Sequence, residues 1–218
     1  MLEEKLQVLK SDLVNYATLV EKMIEKSIQG LLIKDRALLE EVISKDETAV
    51  NDLEITMDEH CTNLIAQYEP KAKELRSILM ILKMSNDLER MGDHAVNISL
   101  SSQYLIELPA VKPLIDLPKM AEETIAMLKD SIQSFVSEDS SLAKKVCERD
   151  SVVDGFRNQI LRELIAFMGA DPSVIERSLH LIRISHNLER IADLSTNIGE
   201  DVIFMVAGKV IKHHKEEL

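Results

Sequence analysis

Two carboxylates four residues apart, with an amide one turn further on, occur twice in this chain of 218 residues: Glu89, Asp93 and Asn97, then Glu189, Asp193 and Asn197. Both sets sit in the same phrase, Leu-Glu-Arg-x-x-Asp-x-x-x-Asn-Ile, beginning at Leu88 and at Leu188. Extending the comparison to Ser85 and Ser185 leaves half of the fourteen aligned positions identical. A repeated core needs only its apolar letters repeated, yet here a Glu, an Arg, an Asp and an Asn recur. Like charges at i and i+4 of a helix repel by about 0.2–0.5 kcal/mol, and a hard cation, which prefers several oxygen donors, would relieve that repulsion.

Other residues extend each candidate site. Asp150 and Asp154 form a second i, i+4 pair upstream of the second motif, and Glu47 and Asn51 are read as their counterparts in the first half. A carboxylate pair from each of two adjacent helices is how helical bundles build polynuclear metal sites. His186, three residues before Glu189, offers a nitrogen ligand to the second copy, and Asn97 and Asn197 are additional oxygen donors or positioning groups. The competing reading is a solvated acidic face, in which Arg90 pairs with Asp93 and Arg190 with Asp193 at i+3. Repetition of the polar letters in both halves raises the metal reading to parity with it.

These side chains need long helices to hold them. Leu, Ile, Glu, Lys, Met and Ala dominate, aromatics make up 3%, and there are six Gly, five Pro and no Trp; such a composition predicts an all-α protein. Apolar residues recur at helical spacing from Leu2 to about Lys34, from Ala37 or Asp46 to Tyr68, and from Lys71 to about Glu107. On the third of these, Met84, Leu88, Met91, Ala95, Ile98 and Leu105 form the inward seam, with Glu89, Asp93 and Asn97 on roughly the opposite side. Ile184, Leu188, Ile191, Ser195 and Ile198 repeat the seam in the second copy.

The order of events then restarts. Met127-Leu128-Lys129-Asp130-Ser131-Ile132-Gln133 echoes Met23-Ile24-Glu25-Lys26-Ser27-Ile28-Gln29, and Leu164-Ile165-Ala166 echoes Leu64-Ile65-Ala66. A repeat of about 100 residues exceeds solenoid periods and marks a duplicated domain. The expected architecture is two tandem three-helix bundles, six long helices in all, over residues 1–108 and 118–218 with a Pro-containing linker at 109–117. Exposed seams at the ends of two bundles predict a homodimer.

The net charge of −12 makes duplex nucleic acid a poor partner, because its binding depends on Lys and Arg neutralising phosphates. Cys61 and Cys147 lack zinc or CxxC spacing and read as core thiols of a reducing compartment. The N-terminus lacks the marks of a signal peptide, and no stretch approaches eighteen apolar residues; the chain is expected to be cytoplasmic. His94 reads as a packing or rim histidine, and Lys212-His213-His214-Lys215 as a solvated tail rather than a metal tract. No Gly-rich phosphate loop, GxSxG or Cys–His pairing points to an enzyme.

The run Asn86-Asp87-Leu88-Glu89-Arg90-Met91-Gly92-Asp93-His94-Ala95-Val96-Asn97-Ile98, its partner from Asn187 through Glu200, the supporting phrases Pro70…Leu75-Arg76 and Asp150-Ser151-Val152-Val153-Asp154, and the duplication itself resemble the PhoU proteins. The resemblance covers essentially the whole length. It implies two three-helix bundles whose E(D)xxxD motifs hold iron, zinc, manganese or magnesium ions. Carried over, the first site is Glu89 and Asp93 with Glu47; the second is Glu189 and Asp193 with Asp150 and Asp154. Asn51 stands where the family pattern has Asp, leaving the first site one carboxylate poorer. The resemblance further implies a regulator of phosphate uptake and of the phosphate-starvation response. Such a protein contacts the phosphate ABC transporter and a sensor histidine kinase, peripherally at the cytoplasmic membrane face. Two alternatives stand beside it. A carboxylate-bridged di-metal enzyme would need inward ligands and a Glu-x-x-His pair, which neither Glu89 nor Glu189 begins. A metal-free helical adaptor would use its acidic stripes on a basic partner.

Overall fold

The computed structural model describes residues 2–208, so the Lys212–Lys215 tail lies outside the described residues. Among those described there is no strand, and no helix is long and apolar enough to cross a membrane. The first half comprises α1 (Leu2–Ile33), α2 (Arg36–Glu41), a π-helical segment (Val42–Asp46), α3 (Glu47–Tyr68) and α4 (Lys73–Ile106). The second comprises α5 (Asp116–Ser137), α6 (Ser140–Ala170), a 3-10 turn (Pro172–Val174) and α7 (Ile175–Ala207). The helices begin where side chains can satisfy free backbone N–H groups. Asp35 accepts from the amides of Ala37 and Leu38, and Asp139 from those of Ser141 and Leu142.

Three departures from the periodicity matter. The helix expected from about residue 37 or 46 to Tyr68 runs with helical backbone from Arg36 to Tyr68, widened into a π-helical segment that ends at buried Asp46, paired with Lys26 at 2.7 Å. The third long helix starts at Lys73 rather than Lys71. α5 starts at Asp116, so Pro118 lies in its first turn, where the missing N–H costs no helical bond.

α4 and α7 pack against each other along the centre of the molecule, with α1 and α3 beside α4, α5 and α6 beside α7, and α1 also touching α5. Three cross-links show that α4 and α7 run antiparallel. Lys83 pairs with Asp201, His94 Nδ1 lies 2.8 Å from Asn187 Oδ1, and the Tyr104 ring stacks on His180 at 4.2 Å. The inward seams are largely as the helical spacing predicts: Met84, Leu88, Met91, Ala95 and Ile98, and their counterparts Ile184, Leu188, Ile191, Ser195 and Ile198, are fully buried, while Leu105 near the end of α4 is only half-buried against the core. The buried side chains of both halves form one continuous hydrophobic cluster. Two close approaches shape the flanks of the motifs. A Cβ at Gly199 would lie 3.0 Å from the Ala143 carbonyl oxygen of α6, and one at Gly92 would lie 3.0 Å from Val50 Cγ1 of α3.

Candidate carboxylate sites

The close approach of α3 to α4 at Gly92 sets carboxylates of the two helices against each other. Burial, then the charges of Asp93 and Glu54, push the Glu89 carboxyl above its usual range, against a smaller opposing pull from Arg90. Burial, Asp58 and Asp93 push Glu54 up in the same way. Glu54 on α3 therefore stands within electrostatic reach of Glu89 and Asp93 on α4, and Asp58 acts on Glu54 from the same helix. Glu47, the first residue of α3, lies two turns from Glu54, about 10 Å along the axis, and is not among the charges acting on Glu89. Glu54 and Asp58 are thus residues that sequence reasoning missed. The signal was present: the alignment that places Leu64 with Leu164 also places Glu54 with Asp154.

Exposure refines the expected surface stripe. Asp93 and Asn97 are exposed, Glu89 and Asn197 are half-buried, and the Glu189 side chain is only 14% exposed. The motifs' glutamates are largely covered by the neighbouring helix, and the aspartates stand nearer the rim.

The second copy is built differently. Arg190 Nη1 lies 3.1 Å from Asp193 Oδ2, as the solvated-face reading expects, and its Nε lies 3.9 Å from Glu189 Oε2. His186 Nδ1 stands 2.9 Å from the same Glu189 oxygen. Burial and the Glu189 charge raise the Asp193 carboxyl, Arg190 opposes that, and Asp154 adds to it. Asp154 and Asp150 are both half-buried on α6. In the first copy Arg90 does not take Asp93. Its Nη1 lies 3.6 Å from Asp87 instead. The reason is local: position 87 is Asp while position 187 is Asn, whose side chain is engaged with His94.

Among the described residues, no three carboxylate, imidazole or thiol groups stand close enough to hold a metal ion as arranged. Neither thiol is in a disulfide; Cys61 is buried, which pushes it up to about 12, and Cys147 is half-buried. His94 is half-buried between the motifs, as a packing histidine should be, and burial lowers its proton affinity.

The PhoU domain model matches this chain twice, over residues 13–101 and 117–202. The chain belongs to the PhoU family. A relative from Aquifex aeolicus, named as a phosphate-specific transport system accessory protein PhoU homolog, is 39% identical, with 96% of this chain and 95% of that protein covered. The crystal structure of PhoU from Pseudomonas aeruginosa superposes with a TM-score of 0.91 at 31% identity, covering 96% of this chain and all of that one. The phosphate transport system regulatory protein PhoU from Streptococcus pneumoniae superposes with a TM-score of 0.89 at 26% identity, covering 96% and 99%. The PhoU fold, all-α with two tandem three-helix repeats, is therefore that of this chain.

The raised carboxyls in this PhoU chain have a consequence for pH. A carboxyl whose folded value lies above its unfolded one binds more protons when folded, so stability falls as pH rises through that window. For Glu54 and Glu89 the window begins near the ordinary value of 4.5 and extends upward. Without added cations, Glu89→Gln is expected to flatten the loss of stability between about pH 5 and 7 and to gain about 0.2–0.5 kcal/mol at pH 7, the scale of one i, i+4 repulsion. Urea unfolding at both pH values reads this; an unchanged slope would mean that Glu89 does not repel its neighbours.

Proposed function

We propose that this PhoU-family chain is a non-enzymatic regulator of phosphate uptake and of the phosphate-starvation response. It acts at the cytoplasmic face of the membrane, by contacts with the phosphate ABC transporter and a sensor histidine kinase, as a homodimer. One observation carries the reading: nearly the whole chain matches nearly the whole of proteins named as accessory or regulatory components of phosphate transport. The carboxylate clusters serve as metal sites on that regulator. In the first copy Glu89, Asp93, Glu54 and Asp58 supply the oxygens, with Glu47 and Asn97 further out. In the second, Glu189, Asp193, Asp150 and Asp154 do so, with Asn197 and His186 as additional donors. Carboxylate oxygens suit iron, manganese or magnesium, and the imidazole at the second copy also suits zinc.

The lack of three converging donor groups among the described residues favours one second reading, a metal-free adaptor that presents acidic grooves to a basic partner. Elemental analysis of protein purified without chelator or affinity metal separates the two. The metal reading expects bound iron, manganese, zinc or magnesium to fall when Glu89/Asp93 or Glu189/Asp193 are replaced by alanine, with helicity retained. The regulatory reading is tested in a strain lacking its own PhoU protein. Expression of this chain is expected to silence a starvation-responsive reporter in phosphate-rich medium, and a reporter that stays on would refute it.

A further inference from the structure

α6 is two-faced, and its buried side carries Ala143, Val146, Val153, Ile160 and Leu164. On the opposite side Glu148, Gly155 and Arg162 recur at intervals of seven residues, close to two helical turns, and all three are exposed. Ser151, Val152 and Asn158 stand exposed around the glycine. A glycine weakens a helix interior relative to alanine, so its presence there calls for a reason. At Gly92 and Gly199 the reason is a neighbouring helix that crowds any Cβ, but a Cβ at Gly155 would meet no atom within 4 Å. Nothing in the chain's own packing asks for glycine at this position. A backbone that approaches closely from outside would.

The flanking charges identify that backbone. When two α6 helices run antiparallel about a two-fold axis at Gly155, position 148 of one copy faces position 162 of the other, because each lies seven residues from the glycine. Glu148 then meets Arg162 of the partner subunit, and Arg162 meets Glu148 of the partner subunit. The face is its own complement, as an isologous contact requires. A parallel pair would set Glu148 on Glu148 and Arg162 on Arg162, and like charges disfavour it. The equivalent flank of the first repeat lacks the pattern. The alignment of Leu64 with Leu164 puts Ile55, 59% exposed, where α6 has Gly155. Asp52, Asp58 and Glu59 stand exposed near it, and α3 contains no Lys or Arg, so two α3 flanks repel each other.

We propose that the outward face of α6 is the surface through which two copies of this chain pair, antiparallel and crossing at Gly155, with Glu148 and Arg162 forming an ion pair at each end of the contact. The inference rests on the homodimer reading above and names its surface. The glycines let the two backbones approach, and Val152 adds apolar area beside them. The two ion pairs fix orientation and register.

Sedimentation of the full chain over a wide range of concentration tests this. Wild type is expected to dimerise reversibly, and more weakly in high salt, which screens exposed pairs. Glu148→Arg and Arg162→Glu should each weaken the dimer by at least about tenfold, because each turns two attractions into two repulsions. An equal mixture of these two variants should recover the dimer, since opposite charges then meet at both ends. The double variant Glu148→Arg/Arg162→Glu should recover it alone. Gly155→Leu should weaken the dimer while the monomer unfolds at the wild-type temperature or higher, because leucine suits an exposed helix better than glycine. Ile55→Lys on the α3 flank should leave the dimer intact. A dimer that survives both single reversals, a mixture that stays apart, or a Gly155→Leu chain that pairs as wild type does would each overturn this interface and leave the homodimer reading standing. A wild-type chain that remains monomeric throughout would overturn both.

Discussion

Replacing Lys83 by alanine is expected to destabilise the protein by about 3–5 kcal/mol, the cost of leaving a buried charge without its partner. Asp201 on α7 is the buried member of the pair, its side chain 4% exposed, while that of Lys83 on α4 is 44% exposed. The asymmetry makes the prediction directional. Asp201→Asn leaves Lys83 free to reach water and removes the charge that needed it, so it should cost much less than Lys83→Ala. A double substitution, Lys83→Met with Asp201→Leu, should restore most of the loss, because apolar replacement of a buried pair is often neutral or better. Urea unfolding of the three variants measures this, and a Lys83→Ala protein within 1 kcal/mol of wild type would show that water reaches Asp201.

Leu188→Ala is expected to cost about 2–5 kcal/mol, the usual range for truncating a buried leucine, and its effect should be read in the other half of the molecule. Leu188 is fully buried in the cluster that runs through both repeats. The chain has no Trp, and its three tyrosines, Tyr16, Tyr68 and Tyr104, all belong to the first half. Tyrosine fluorescence therefore reports on the first repeat, while far-ultraviolet dichroism reports on every helix. In wild type the two denaturation curves should coincide, and Leu188→Ala should move both by the same amount, as one cooperative unit requires. A dichroism transition that splits while the fluorescence midpoint stays fixed would mean that the repeats unfold separately.

The long helices, the duplication and the inward seams were legible because each is written in spacing alone: Leu88 and Leu188 recur with the seam residues around them, and all but Leu105 are buried. The partners of the motif carboxylates were harder to read because the repeat is not of constant length. Asp139 caps α6 as Asp35 caps α2, 104 residues earlier, whereas Leu164 follows Leu64 by 100. The first half thus carries four more residues between these marks, in the stretch that holds α2 and the π-helical segment. An alignment carried forward from the first helix lands near Glu47 and Asn51; one carried back from the motif lands on Glu54. Arg90's turn to Asp87 depends on a neighbouring charge that a bare i+3 rule does not weigh.

The antiparallel pairing of α4 with α7 makes the chain equivalent to two copies of one repeat joined by a tether. In a homodimer of single repeats, every substitution would appear on both sides of the central seam, and assembly would depend on concentration. Joined in one chain, the copies stay together at any dilution, and each position is free to change alone. That freedom allows Asp87 to draw one arginine away while Asn187 leaves the other in place, so a symmetric scaffold presents two chemically different faces.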